Sequence, residues 1–279
     1  MLTQCNQITD PNTRATCTSA YTSMYSSDVA QCQSDFASCN NIPASDQQII
    51  TEMQNKNIIS PVIEAQTSQF KNNTTTLTGG TINKFTKQNG LIVPGEKYSL
   101  ELNNPTSDLT ASSINASGAL IFHPSYSKKL TYDKYDTNGN ILQYHLSDNT
   151  NTSFIWSYNG SMPVIKCDNV TYDILNAAVI AAGATNLETF WSGFNDIATN
   201  TTKQSAWKTF NTTLRSNASL ANAQVTTYTY NPLVGMTSQT DPNGITTYYE
   251  YDDFGRLKNA KDKDQKILKH YKYHYYNEQ

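Results

Sequence analysis

Residues 240–262 read TDPNGITTYYEYDDFGRLKNAKD, and several of their side chains have the right types for chemistry. Glu250, Asp252 and Asp253 crowd together, and converging carboxylates are what a hard cation such as calcium takes as ligands. Asp241 begins a Pro242-Asn243-Gly244 turn. His270 and His274 stand four apart, a zinc spacing on a helix. Cys167 is a lone thiol, whereas Cys5, Cys17, Cys32 and Cys39 fall in the first 39 residues.

The elements that must position these residues weaken most of that chemistry. Alternation in TTYYEY predicts a strand with Tyr249 and Tyr251 on one face and Glu250 with Asp252 on the other. Asp252 then reads as a turn residue ahead of Phe254-Gly255, accepting backbone N–H groups. Arg256 reads as a structural cation beside an acid, its stem on tyrosine faces. ILKHYKYHYY also alternates, and four residues of strand separate His270 from His274 by about 13 Å, too far to share an ion. His123 and His145 have no partner at a ligand spacing. Cys167, in VIKCDNVTY, reads as a small core residue. No phosphate loop or GxSxG is present, so the expectation is no catalytic residue, no metal and no cofactor.

Composition narrows the classes further. Net charge is −3 with 15% charged residues, which leaves no basic surface for nucleic acid. No run of 18 apolar residues predicts a membrane span. No leader is visible, yet the Asn, Thr, Ser and Tyr content is that of a surface protein, which suggests a piece of something longer with its export signal elsewhere. The N-terminal cysteines allow two readings on helical spacing. A hairpin turning near Ser26-Ser27 sets Cys17 against Cys32 and Cys5 against Cys39 as disulfides, or all four are buried free thiols. Cys32 and Cys39 cannot pair within one helix, where seven residues span roughly 10 Å.

Along the chain, Ser45 with Gln48 resembles a capping box, Ile49, Ile50 and Met53 share a helix face, and Ser60-Pro61 ends that helix. TTTLTGGTINKFT reads as a hairpin around Gly79-Gly80, GEKYSLELNN as a strand, and 104–120 as a loop. An aromatic strand, a polar turn and a short apolar strand then recur around Tyr135, Tyr158, Tyr230, Tyr251 and Tyr275, at intervals of about 21 to 24 residues with one gap of 72. Inside that gap the period becomes helical, with stripes Ile174, Leu175, Ala178, Val179, Ala182, then Leu187, Phe190, Trp191, Phe194, Ile197, then Trp207, Phe210, Leu214. The segments are 1–60 helical and Cys-rich, 61–172 β-hairpins, 173–221 a helical insertion, and 222–279 C-terminal repeats.

YYEYDDFGRLKNAKD, preceded by DPNG, resembles the YD repeat of the Rhs and YD-repeat proteins. Gly244, Tyr249, Tyr251, Asp252, Gly255, Arg256 and Leu257 match the pattern. YDTNGNIL is a second copy through Tyr135, Asp136 and Gly139, with Asn140 where Arg usually stands. The resemblance covers roughly 128–172 and 222–279, and by style 58–103. The block order resembles the C-terminal end of long YD proteins of Bacteroidota. It implies a mainly β fold: antiparallel hairpins in a ribbon or shell, with the Cys-bearing helical hairpin and the insertion added. It also implies an extracellular or cell-surface, adhesin-like role. The partners would be the remainder of its own longer chain, an outer-membrane secretion apparatus of type IX, or another surface protein. Some members enclose a toxin behind paired, self-cleaving DPxG motifs. Here Asp241 to Gly244 stands without a partner motif and repeat sequence follows it, so it reads as a turn.

Overall fold

The computed structural model describes residues 44–107 and 110–274. Cys5, Cys17, Cys32 and Cys39 lie outside the described residues, so their pairing is not addressed by it. The remainder is mainly β. Asn55 ends a first helix, α1 (Asp46–Asn55), which buries Ile49 and Met53 and leaves Ile50 half-covered. Its exit through Asn57 at φ 56° breaks helical geometry ahead of Pro61.

Three strands follow: β1 (Glu64–Lys71), β2 (Thr74–Gln88) and β3 (Leu91–Leu100). Their two-residue turns are Asn72-Asn73, at φ 53° and 58°, and Asn89-Gly90, at φ 50° and 79°. Both pairs are left-handed, as a tight hairpin with matched strand twist requires. This corrects the hairpin expected at Gly79-Gly80, which lies inside β2. A Cβ at Gly80 would stand 2.3 Å from Tyr126 Oη and 3.0 Å from the Ala65 carbonyl oxygen. Glycine is there for close approach, a role that looks like a turn signal in sequence.

The stretch expected to be a loop holds a two-stranded ribbon, β4 (Ser113–Ile114) with β5 (Leu120–Ile121). It is tied to α1, because Leu120 N donates to Asp46 Oδ2 at 2.7 Å and Gln47 N to the Gly118 carbonyl at 2.9 Å. The chain then runs through β6 (Tyr126–Tyr135), β7 (Ile141–Leu146), β8 (Asn151–Ser157) and β9 (Met162–Asp168). After a helical segment come β10 (Gln224–Asn231), β11 (Gly235–Thr240), β12 (Thr246–Tyr251), β13 (Leu257–Lys261) and β14 (Ile267–His270).

Twelve of these strands form one antiparallel sheet in the order β1-β2-β3-β6-β7-β8-β9-β10-β11-β12-β13-β14. Within this sheet each strand bonds to the next in chain order, with the β4–β5 ribbon set outside it, and the helical segment between β9 and β10 does not break the sequence of pairing.

That segment holds α2 (Tyr172–Ala181), α3 (Leu187–Ser192), α4 (Thr201–Arg215) and a 3-10 turn (Ala218–Leu220). Asn186, Asn200 and Asn217 cap the last three, each side-chain oxygen accepting a backbone N–H of the first turn. The helices cover the sheet with Leu175, Val179, Trp191, Ile197, Trp207 and Leu214, all fully buried, over Ile155, Ile165 and Val225. The rings interlock: Phe190 lies 4.7 Å from Phe210, and Phe194 lies 4.9 Å from Trp207. Ile174 departs from the expected stripe and is 43% exposed.

Candidate functional site

The YD residues form one device, repeated along the sheet. At Asp136, Oδ1 accepts from Asn138 N at 2.9 Å and Asn140 N at 2.8 Å, while its own N–H donates to the Asn140 carbonyl at 2.9 Å. Asp252 does the same with Phe254 N at 3.0 Å and Arg256 N at 2.9 Å. The fourth residue of each turn is Gly139 at φ 87° or Gly255 at φ 73°, a conformation costly to a residue with a Cβ. Asp262 builds the same turn with Gln265 at φ 63° in the glycine's place. That copy was missed because its glycine is absent.

The residue after the glycine completes the device. Arg256 Nε donates to Asp252 Oδ2 at 2.8 Å, and Asn140 Nδ2 donates to Asp136 Oδ2 at 2.9 Å. Asn in the Arg position therefore keeps the bond that matters. The Arg256 guanidinium also lies 4.5 Å from the Tyr273 ring centre and 5.1 Å from that of Phe254.

Tyrosines supply the other half. Tyr135 Oη donates to the Pro94 carbonyl at 2.8 Å, Tyr230 to Pro163 at 3.1 Å, Tyr251 to Met236 at 2.8 Å and Tyr273 to Leu257 at 2.8 Å. Tyr135, Tyr230 and Tyr251 each clamp the strand before their own, and Tyr273, past the end of β14, clamps β13. Tyr275 lies outside the described residues, and Tyr273 fills the place expected for it. Tyr158 is diverted: its hydroxyl donates to the Trp191 carbonyl at 3.1 Å and the Tyr230 carbonyl at 3.0 Å.

The acids do not converge. Glu250 accepts from Asn259 Nδ2 at 2.9 Å and pairs with Lys261. Burial raises its pKa, but those two bonds outweigh it and hold the carboxyl below its ordinary range. Asp252 is lowered by the Arg256 side chain and by backbone N–H groups. The expected shared face of Glu250 and Asp252 does not form, because β12 ends at Tyr251 and the Asp252 carboxylate folds back onto its own turn. Asp253 is exposed. Tyr249, Glu250, Asp252, Asp253, Lys258 and Asp196 line an open groove of about 530 Å³. Among the described residues no three His, Cys, Asp or Glu side chains are grouped as a metal site.

Asp241 Oδ1 accepts from Ile245 N at 2.8 Å, and Gly244 N donates to the Asp241 carbonyl at 2.9 Å, so the DPNG motif is a turn of the same kind. Arg215 Nη2 donates to the Asp241 carbonyl at 2.9 Å and to that of Val225 at 2.8 Å, holding the end of α4 to the sheet. Nothing in its spacing singles Arg215 out. Gly244 is at φ 78°, and Leu257 opens β13 opposite Tyr251. Cys167 is buried and its thiol is pushed up to about 12 by burial, which removes it as a nucleophile at neutral pH. His145 Nδ1 meets Asp133 Oδ1 at 2.8 Å, a partner its sequence position gives no sign of. His270 ends β14, and His274 lies beyond the strand.

The sequence profile of the RHS Repeat family matches residues 234–266, the segment that holds β11 to β13 and the Asp241 and Asp252 turns. Residues 234–266 therefore carry an RHS repeat. No curated protein matches it. The RHS repeat suggests a surface or secreted protein, and no helix among the described residues is long and apolar enough to cross a membrane.

Proposed function

We propose that the chain is a non-enzymatic structural module of an exported Rhs-like protein, forming or closing a β-ribbon shell and presenting its hairpin tips outward. The observation that carries this reading is the unbroken order of the sheet. Twelve strands each pair with the next, and the same tyrosine clamp and Asp turn recur along them. Such a unit buries its face on its neighbours, so its side chains are committed to construction.

Protease shaving of intact producing cells tests the reading. The chain should be cut from outside while cytoplasmic proteins stay whole, and a chain protected inside the cell sinks it. Export by a type IX machine that reads the C-terminal repeats is the finer form. Unchanged export after deletion of residues 222–279 removes that form.

A further inference from the structure

Glu250, Asn259 and His270 stand at one register level of three consecutive strands, β12, β13 and β14. Lys261 is two residues beyond Asn259 on the same face. One carboxylate joins them: Asn259 Nδ2 donates to Glu250 Oε2 at 2.9 Å, and Lys261 Nζ bonds to Glu250 Oε1. Asn259 is 7% exposed, and the side chains of Lys261 and Glu250 are 18% and 16% exposed. The amide's orientation is fixed, because its nitrogen must face the carboxylate. Its Oδ1 then faces His270 Nδ1 at 2.8 Å, and an acceptor there requires that Nδ1 carry the hydrogen.

These are the parts of an amide transfer: an amine nucleophile, a carboxylate touching both nucleophile and leaving nitrogen, and a donor on the carbonyl oxygen. We propose that Lys261 Nζ and Asn259 Cγ join in an intramolecular amide bond, with Glu250 carrying the protons and His270 holding the developing oxyanion.

Glu250 takes a proton from the Lys261 ammonium, and the freed amine attacks Cγ. The carbonyl electrons move to Oδ1 against His270. On collapse the Cγ–Nδ2 bond breaks. Nζ sheds two of its three protons through Glu250, both leave on Nδ2 as ammonium, and Glu250 ends as the carboxylate it was. No oxidant or cofactor is consumed. Loss of ammonium to solvent makes the step irreversible, and holding both groups on one carboxylate replaces an encounter that would be slow in water. The link closes a ring through Ala260, where the β13–β14 ladder has its bulge.

Intact mass under denaturing conditions, with a tryptic map of the full chain, tests this. The wild type should be lighter than its sequence by one ammonia. Asn259–Lys263 should come out as one peptide, because trypsin does not cut after an acylated Lys261. Glu250→Gln and Lys261→Arg should both have the full sequence mass. A wild type at full mass overturns the proposal. So does a lost ammonia with Lys261 still cut, which is a succinimide at Asn259. The wild-type mass decides alone, so a variant that fails to fold does not shelter the idea, and neither result depends on export.

Discussion

The YD pair divides two jobs between adjacent side chains. Tyr251 ties its strand to the one before it through the Met236 carbonyl, and Asp252 satisfies the N–H groups of the turn that reverses the chain. Tyr251→Phe keeps the ring and loses one neutral hydrogen bond, so urea unfolding should show a loss of about 0.5–1.5 kcal/mol. Asp252 makes a prediction in pH. Its carboxyl is lowered in the fold, chiefly by Arg256, so it contributes stability above the ordinary carboxylate range and loses that contribution as pH falls through its folded pKa. Asp252→Asn does not titrate. The stability gap between wild type and variant should therefore be widest near neutral pH and shrink in acid, as read by thermal melts across pH. A gap that grows in acid contradicts the assignment. The role of Asp252 was readable because Asp before a glycine has one common use. The copy at Asp262 was not, because Gln265 reaches the same positive φ without the residue type that announces it.

Elements were legible where burial sets the period. Trp207, Phe210 and Leu214 read as a helix stripe and are buried as one. The Ile174 stripe was read one residue too wide, since the side of a short apolar helix that meets the sheet depends on what it packs against. Turns were less legible. Asn72-Asn73 closes a hairpin and Gly79-Gly80 does not, although glycine pairs are the more familiar signal. Only the position of Tyr126, far along the chain, explains why glycine is needed in β2. This yields a paired prediction. A Cβ at Gly79 meets nothing within 4 Å, so Gly79→Ala should be neutral or stabilise by about 0.4–1 kcal/mol through the unfolded chain. Gly80→Ala drives a methyl into Tyr126 Oη and the Ala65 carbonyl and should cost about 1–3 kcal/mol. Denaturant titration of the two variants side by side checks it, and equal effects would contradict the close-approach reading.

Across the whole sheet, the pairing order is uniform but the burial is not. The helices between β9 and β10 cover β8 to β12 with a continuous aromatic core built on Trp191 and Trp207. The other end rests on a cluster of four buried side chains, Leu77, Ile82, Leu100 and Tyr126. Beyond it, the β1–β2 hairpin is exposed along nearly all of β1, with Phe70 at 70% exposure. Local opening needs little energy where few apolar contacts must be given up. Amide exchange followed by mass spectrometry should therefore show a gradient. Peptides from β9, β10 and α4 should exchange slowest, at a rate close to that of global unfolding. Peptides from β1 and the first half of β2 should exchange much faster, although β1 is paired with β2 from Glu64 to Lys71. Equal protection from β1 to β12 would mean that the ladder itself, and not the covering helices, sets the stability of the ribbon. The insertion would then be an ornament on a sheet that stands without it. The buried indoles argue otherwise: Trp191 Nε1 donates to the Tyr228 carbonyl at 2.9 Å and Trp207 Nε1 to Thr240 Oγ1 at 3.2 Å. Those bonds fasten the helices to β10 and β11, and opening either strand must expose both rings.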